Sequence, residues 1–261
     1  MTSGIRVKPE VKAHPSIRRV KPYTVQPTPT TSPNWSGFEL YGPSRSYDEV
    51  SGSWVVPTAI AGEPNTRTSI LSWIGIDGFY TTDLVQAGTG AESAAAGGVA
   101  ISTYYAWYEF LPKQPTMQII TSISIRPEDA VIFFVVLSDD GDVFSLPNID
   151  GNNAAFLLGN NTTGKNTAAF VDRGTTVVGA SEAEWIIERA SYNGIYSDLV
   201  DYGSADMSNC SAHRVGTPFD QHTYYQDDAN RQISMVNGNT TLSTVTPVSS
   251  DQMRFTWYAF H

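Results

Sequence analysis

Three carboxylates fall on alternate positions of one stretch, Ser181-Glu182-Ala183-Glu184-Trp185-Ile186-Ile187-Glu188. Read at the two-residue period of a β-strand, Glu182, Glu184, Ile186 and Glu188 share one face. Ala183, Trp185 and Ile187 form an apolar face opposite. Like charges lined up on one strand face repel, so selection for stability alone would avoid them. Two readings are open: a strand whose polar side meets water, or a carboxylate floor in an open cleft with Glu184 as a catalytic group. The same parity places Gln86 with Leu84 and Gly88, away from Val85 and Ala87. It groups Thr103, Tyr105, Trp107 and Glu109 against Tyr104, Ala106, Tyr108 and Phe110, and it puts Trp73 with Asp77. Several strands thus offer polar or aromatic groups to one concave surface. Taken singly, Gln86 also fits a solvated strand position, and Trp73 and Trp107 fit ordinary core packing.

Several familiar hydrolytic signatures are absent. There is no His-Glu-x-x-His, and the histidines are His14, His213, His222 and His261. Gly-x-Ser-x-Gly and Asp-Thr-Gly do not occur, and Gly88-Thr89-Gly90 lacks the Lys and the βαβ setting of a phosphate loop. Cys210 is the single cysteine, which rules out an intrachain disulfide, and with His213 it falls short of a zinc set. No metal and no cofactor is expected. Carboxylate and amide chemistry remains.

The elements that would position such groups are strands. A chain of 261 residues rich in aromatics, Gly and Pro and poor in charge can form one large all-β domain or two small ones. Short strand patterns recur between turn signals, from Val50–Val56 and Ser69–Ile76 through Ile101–Leu111, Ile119–Ile125, Ala130–Ser138, Ala154–Leu158 and Thr167–Val171 to Met253–Phe260. Asp139-Asp140-Gly141-Asp142 reads as a hairpin turn without the spacing of a calcium loop. Asn237-Gly238-Asn239 reads as another hairpin, and the stretch after Met207 is ambiguous. The pattern indicates a sandwich or a barrel. Residues 1–33 differ: six Lys or Arg stand against Glu10, and repeated prolines argue against a helix or a strand. The expected division is a basic Pro-rich segment, 1–33, ahead of one domain, 34–261. That segment reads either as a disordered tail or as a pro-segment over an acidic cleft. The net charge of −10 argues against nucleic acid. No apolar run has membrane-spanning length, so the reading is a soluble protein without membrane contact.

Taken together, the chain resembles the glutamic peptidases of the eqolisin type. The stretches that carry this are Asn34-Trp35-Ser36-Gly37, Trp54-Val55-Val56-Pro57, Trp73-Ile74-Gly75-Ile76-Asp77-Gly78, Val85-Gln86-Ala87-Gly88, Ala106-Trp107-Tyr108-Glu109 and Ala183-Glu184-Trp185-Ile186. The resemblance implies a β-sandwich of two curved antiparallel sheets, of concanavalin or jelly-roll type. It implies an acid-acting, pepstatin-insensitive endopeptidase, secreted and monomeric, with polypeptide substrates. Gln86 and Glu184 align with the family's catalytic dyad, and Trp73, Asp77, Trp107 and Glu109 with its cleft residues. Tyr105 stands where fungal members carry Asp, which implies a less extreme pH optimum, and the missing disulfides resemble the bacterial branch. Two other readings of the same residues are a jelly-roll glycoside hydrolase with a Glu109/Glu184 carboxylate pair and a non-catalytic carbohydrate-binding sandwich.

Overall fold

The computed structural model describes residues 26–62, 66–96, 99–138, 153–218, 221–225 and 227–261. Among the described residues the chain forms strands and turns, with no helix. In order these are β1 (Thr28–Ser32), β2 (Trp35–Tyr41), β3 (Tyr47–Val55), β4 (Arg67–Ile76), β5 (Leu84–Ala96), β6 (Val99–Leu111) and β7 (Gln114–Ile120). Then come β8 (Ala130–Leu137), β9 (Asn153–Asn160), β10 (Lys165–Asp172), β11 (Glu182–Glu188), β12 (Ser191–Tyr192), β13 (Ile195–Tyr196) and β14 (Asp198–Leu199). The chain closes with β15 (Ser204–Arg214), β16 (His222–Thr223), β17 (Asn230–Asn237), β18 (Thr240–Ser249) and β19 (Gln252–Trp257).

Their ladders build two layers. One sheet runs β1-β17-β2-β11-β4-β5-β6-β7. The other runs β18-β19-β15-β3-β8-β9-β10. The β17–β18 hairpin belongs to both and turns through Gly238 at positive φ. Pairing is antiparallel except for β1 with β17 and β14 with β4. The expected sandwich is therefore present.

The core between the layers follows the alternation read from the sequence. Phe38, Leu40, Ile74, Ile76, Val85, Ala87, Ala106, Phe110, Ala183, Trp185 and Ile187 face inward from the first sheet. Val50, Trp54, Phe133, Val135, Phe156 and Met253 meet them from the second. Two indoles span the layers: Trp185 Nε1–H donates to the Ser51 carbonyl at 2.8 Å, and Trp54 Nε1–H donates to Thr89 Oγ1 at 2.9 Å. A buried indole must pair its N–H, so each bond fixes one sheet against the other. Gly52 makes room for this, since a Cβ there would sit 3.1 Å from Ile74 and 3.3 Å from Trp185.

Three elements differ from the sequence reading. Residues 28–32 were expected in an irregular segment, yet they form β1, and Pro29 lies within it. β1 is an edge strand, where a residue without an N–H is tolerated. The strand expected at Ile119–Ile125 lies earlier, at Gln114–Ile120. The first part of the ambiguous stretch after Met207, as far as Arg214, is inside β15, which shifts register between Ser208 and Ser211 with Asn209 at positive φ. That bulge breaks the two-residue period and hides the strand. The turn at Asp139–Asp142 and residues 1–25 lie outside the described residues.

Candidate active site

The outer face of the first sheet carries the residues singled out by parity. Ladder register lines them up. Across β17, β2, β11, β4, β5 and β6 one row reads Arg231, Glu39, Glu184, Gly75, Gln86, Glu109. The next row reads Ile233, Gly37, Ile186, Trp73, Gly88, Trp107, and a further one reads Trp35, Glu188, Leu71, Gly90, Tyr105. Directly opposed residues point to the same side of a sheet, so Glu184 and Gln86 face the same way. One strand separates them, and that strand contributes Gly75. A Cβ at Gly75 would sit 2.9 Å from the Trp73 ring and 3.2 Å from Gln86 Cβ. Glu184 and Gln86 thus stand two interstrand spacings of about 4.8 Å each apart, with the Trp73 ring closing over Gly75 beside them.

The glycines of the second and third rows serve the aromatics. A Cβ at Gly88 would lie 2.6 Å from Trp73 Cβ, and one at Gly90 would lie 2.5 Å from the Tyr105 ring. Trp35, Trp73, Trp107 and Ile186 pack as one cluster, with Phe79, Tyr105 and Met117 against it. Trp35 meets Trp73 edge-on at 4.9 Å between centroids. Trp73 and Trp107 are fully buried and form the base of this surface. Tyr105 is partly buried, and its hydroxyl lies 3.4 Å from Glu92, directed away from the Glu184–Gln86 row.

Gln86 is 5 % exposed, and its Nε2–H donates to Glu109 Oε2 at 2.8 Å. Because an ionised carboxylate only accepts, this bond orients the amide and leaves a second N–H on Nε2 available. Burial raises the Glu109 carboxyl above the usual range, while the Gln86 bond acts in the other direction. Glu184 is 0 % exposed, and neither of its oxygens has a hydrogen-bond partner among the described residues. Burial first, then the carboxylates of Glu39, Glu182, Asp77 and Glu188, push Glu184 well above the ordinary Glu value.

Asp77 works from behind this row. It is wholly buried at φ 64°, with its carboxylate turned to the chain entering β11. It accepts Ser181 N–H at 2.8 Å, Ser181 Oγ–H at 3.0 Å and Glu182 N–H at 3.1 Å, together with Ala180 N–H. Burial still lifts it to about 6. Its contacts make it a positioning residue for β11.

Glu182 and Glu188, which the reading of a water-facing strand would leave solvated, are bound into the structure instead. Glu182 is buried and accepts the Phe79 N–H at 3.1 Å. Glu188 accepts Asn34 Nδ2–H and Trp73 Nε1–H, both at 2.9 Å, and burial raises it to about 7. The aromatic residues and the loop after β4 cover the strand face that period alone would give to water. Sequence reading also missed Glu39 and Arg231. Glu39 shares the polar parity of Trp35 and Gly37, a signal present but unused, whereas nothing local marks Arg231.

Glu39, Glu182 and Glu184 bring carboxylate oxygens within 4.8 Å of one another. The spacing would admit a hard cation. Arg231 already supplies positive charge to Glu39, and protons can neutralise the others.

The sequence model of the peptidase A4 family matches residues 33–257. The chain belongs to the peptidase A4 family. Membership makes it an acid-acting endopeptidase of the glutamic type and answers the glycoside hydrolase and carbohydrate-binding readings. Solved structures similar to this peptidase include scytalido-glutamic peptidase with a peptide-based transition-state analogue, 22 % identical over 86 % of this chain and 98 % of that one, with a TM-score of 0.64. Another is SCP-B, an eqolisin-family peptidase in complex with the tripeptide Ala-Ile-His, 21 % identical over 86 % and 98 %, TM-score 0.62. A third is aspergilloglutamic peptidase from Aspergillus niger, 21 % identical over 73 % and 99 %, TM-score 0.57. At that identity these likenesses speak for the fold. No curated protein sequence matches the chain. Among the described residues of the peptidase, no helix is long and apolar enough to cross a membrane.

Proposed function

We propose that Glu184 and Gln86 are the catalytic pair of this endopeptidase and that its substrates are polypeptides. The observation that carries this reading is their placement in one register row on either side of Gly75, with Gln86 fixed by Glu109. Ionised Glu184 takes a proton from a water in that gap, and the water oxygen attacks the scissile carbonyl carbon. The N–H of Gln86 not used by Glu109 donates to the developing oxyanion. The proton on Glu184 then passes to the leaving nitrogen as the C–N bond breaks. Tyr105 contributes apolar surface to the substrate cleft, the buried Trp107 packs beneath it, and Trp73 supports it through Glu188.

Because burial and four neighbouring carboxylates hold the proton on Glu184, the base form grows in above the ordinary Glu value of about 4.3. The low-pH limb of kcat/KM is therefore expected above that value. Its cause is this carboxylate cluster rather than Tyr105. Cleavage of denatured casein between pH 3 and 8, with and without pepstatin, tests the assignment. Wild type is expected to cleave in acid regardless of pepstatin. Gln86→Ala should lose between about 10²- and 10³-fold in kcat, the usual effect of removing an oxyanion donor. Full activity of Gln86→Ala would overturn the pair.

The basic N-terminal segment is read as a pro-segment that lies over the acidic cleft at neutral pH and releases as carboxylates protonate. β1 limits its extent, since residues 28–32 pair with β17. Removal of residues 1–25 is expected to raise activity at neutral pH, and equal activity with and without them would leave only the tail reading. Secretion and a monomeric state complete the proposal, to be checked by localisation and by sedimentation of the purified chain.

A further inference from the structure

Glu39 has no part in the scheme above, yet it is the side chain opposite Glu184 in the β2–β11 ladder. It is 0 % exposed in a position where a carboxylate needs a strong reason to be. Its Oε1 accepts from Arg231, while Oε2 meets no donor among the described residues. Arg231 is itself held, with its guanidinium 3.9 Å from the Tyr41 ring centroid and 4.5 Å from that of Tyr80. Directly opposed residues across an antiparallel pair have Cβ atoms about 4.5–5.5 Å apart, so Glu39 cannot turn away from Glu184.

We propose that the Arg231–Glu39 pair positions Glu184 and decides which carboxyl of the site keeps the last proton. Carboxyls this close and this dry cannot all ionise; they lose protons in steps that belong to the group. Arg231 favours the anion on Glu39, so the proton is left on Glu184. The charged groups around Glu184 are Glu182 and Glu188 on its own strand, Glu39 on β2, Arg231 on β17 and Asp77 beyond β4, with Glu109 behind Gln86. Glu39 is the largest of the carboxylate influences and the one with a fixed counter-charge. Burial and then Glu182 work against that anion, and the Arg231 contact opposes them. Without Glu39, Glu184 would ionise at lower pH.

This inference rests on Glu184 being the base. The test is the pH dependence of kcat/KM for wild type, Glu39→Gln and the double variant Glu39→Gln/Arg231→Gln. The double variant leaves no orphaned guanidinium and guards against misfolding of the single one. In both, the low-pH midpoint is expected to fall by about one unit, the lower end of what one nearby charge does. An unmoved midpoint in folded variants, with only kcat reduced, would show Glu39 to be structural and overturn the inference. Glu184→Gln, assayed alongside, separates the two failures: if it is active, the base assignment itself is wrong.

Discussion

Glu184→Gln is expected to lower kcat by between about 10²- and 10⁴-fold while the protein folds as before. The range is that of a general base removed from a positioned site. The amide keeps the size of the carboxyl but cannot take a proton from water. The expected stability change has the opposite sign to the usual core substitution. Glu184 is fully buried among Glu39, Glu182, Asp77 and Glu188, with no partner for either oxygen among the described residues. Gln carries no charge and brings N–H donors to neighbouring carboxylates, so thermal unfolding at neutral pH should occur at the same temperature or higher. Steady-state kinetics with a thermal melt checks both. An inactive variant that also unfolds early would point to damage instead of lost chemistry, and an active one would remove Glu184 from the mechanism.

Stability is expected to be greatest in acid and to decline from about pH 4.5 to about 7. Burial raises Glu49 and Glu188 to about 7 and Asp77 to about 6. A carboxyl whose pKa is higher in the folded chain binds its proton more tightly there. Its contribution is complete below the unfolded value near 4 and is lost as pH rises through the folded one. His213 adds to the same trend: although burial opposes it, the bond to Asp48 raises its pKa, so its contribution also fades as pH rises. Each unit of upward shift corresponds to about 1.4 kcal/mol, and several groups act together. The melting temperature should therefore fall between pH 4 and pH 8, by about 2–4 °C for each kcal/mol lost in a domain of this size. A melting temperature that climbs over that interval would contradict the burial of these groups.

Much of this was legible from the residues. Period two identified the Glu184 strand, the partner faces around Gln86 and Trp107, and the apolar inner face, because a strand buried on one side leaves a direct trace in its side chains. Other parts depend on what lies beside each strand. Glu182 and Glu188 look solvated by period, and one becomes buried and the other half-buried only because Phe79, Trp73 and Asn34 close on them. The link between Glu39 and Arg231 joins residues far apart in the chain, and only the β2–β17 register makes them neighbours. β15 was obscured by its bulge, and β1 by the proline that an edge position accommodates.

The indole of Trp185 lies on the strand that carries Glu184, one position along and on the opposite face. Its bond to Ser51 therefore acts as a key for the catalytic face. If β11 slid by one residue, the ring would enter the cleft and the carboxylates would enter the core. A misregistered chain would lose its inter-sheet anchor at the same moment as its general base. The peptidase thus has no cheap route to a well-packed but miswired sheet, and a correctly seated tryptophan, readable by its fluorescence, would report a correctly aimed glutamate.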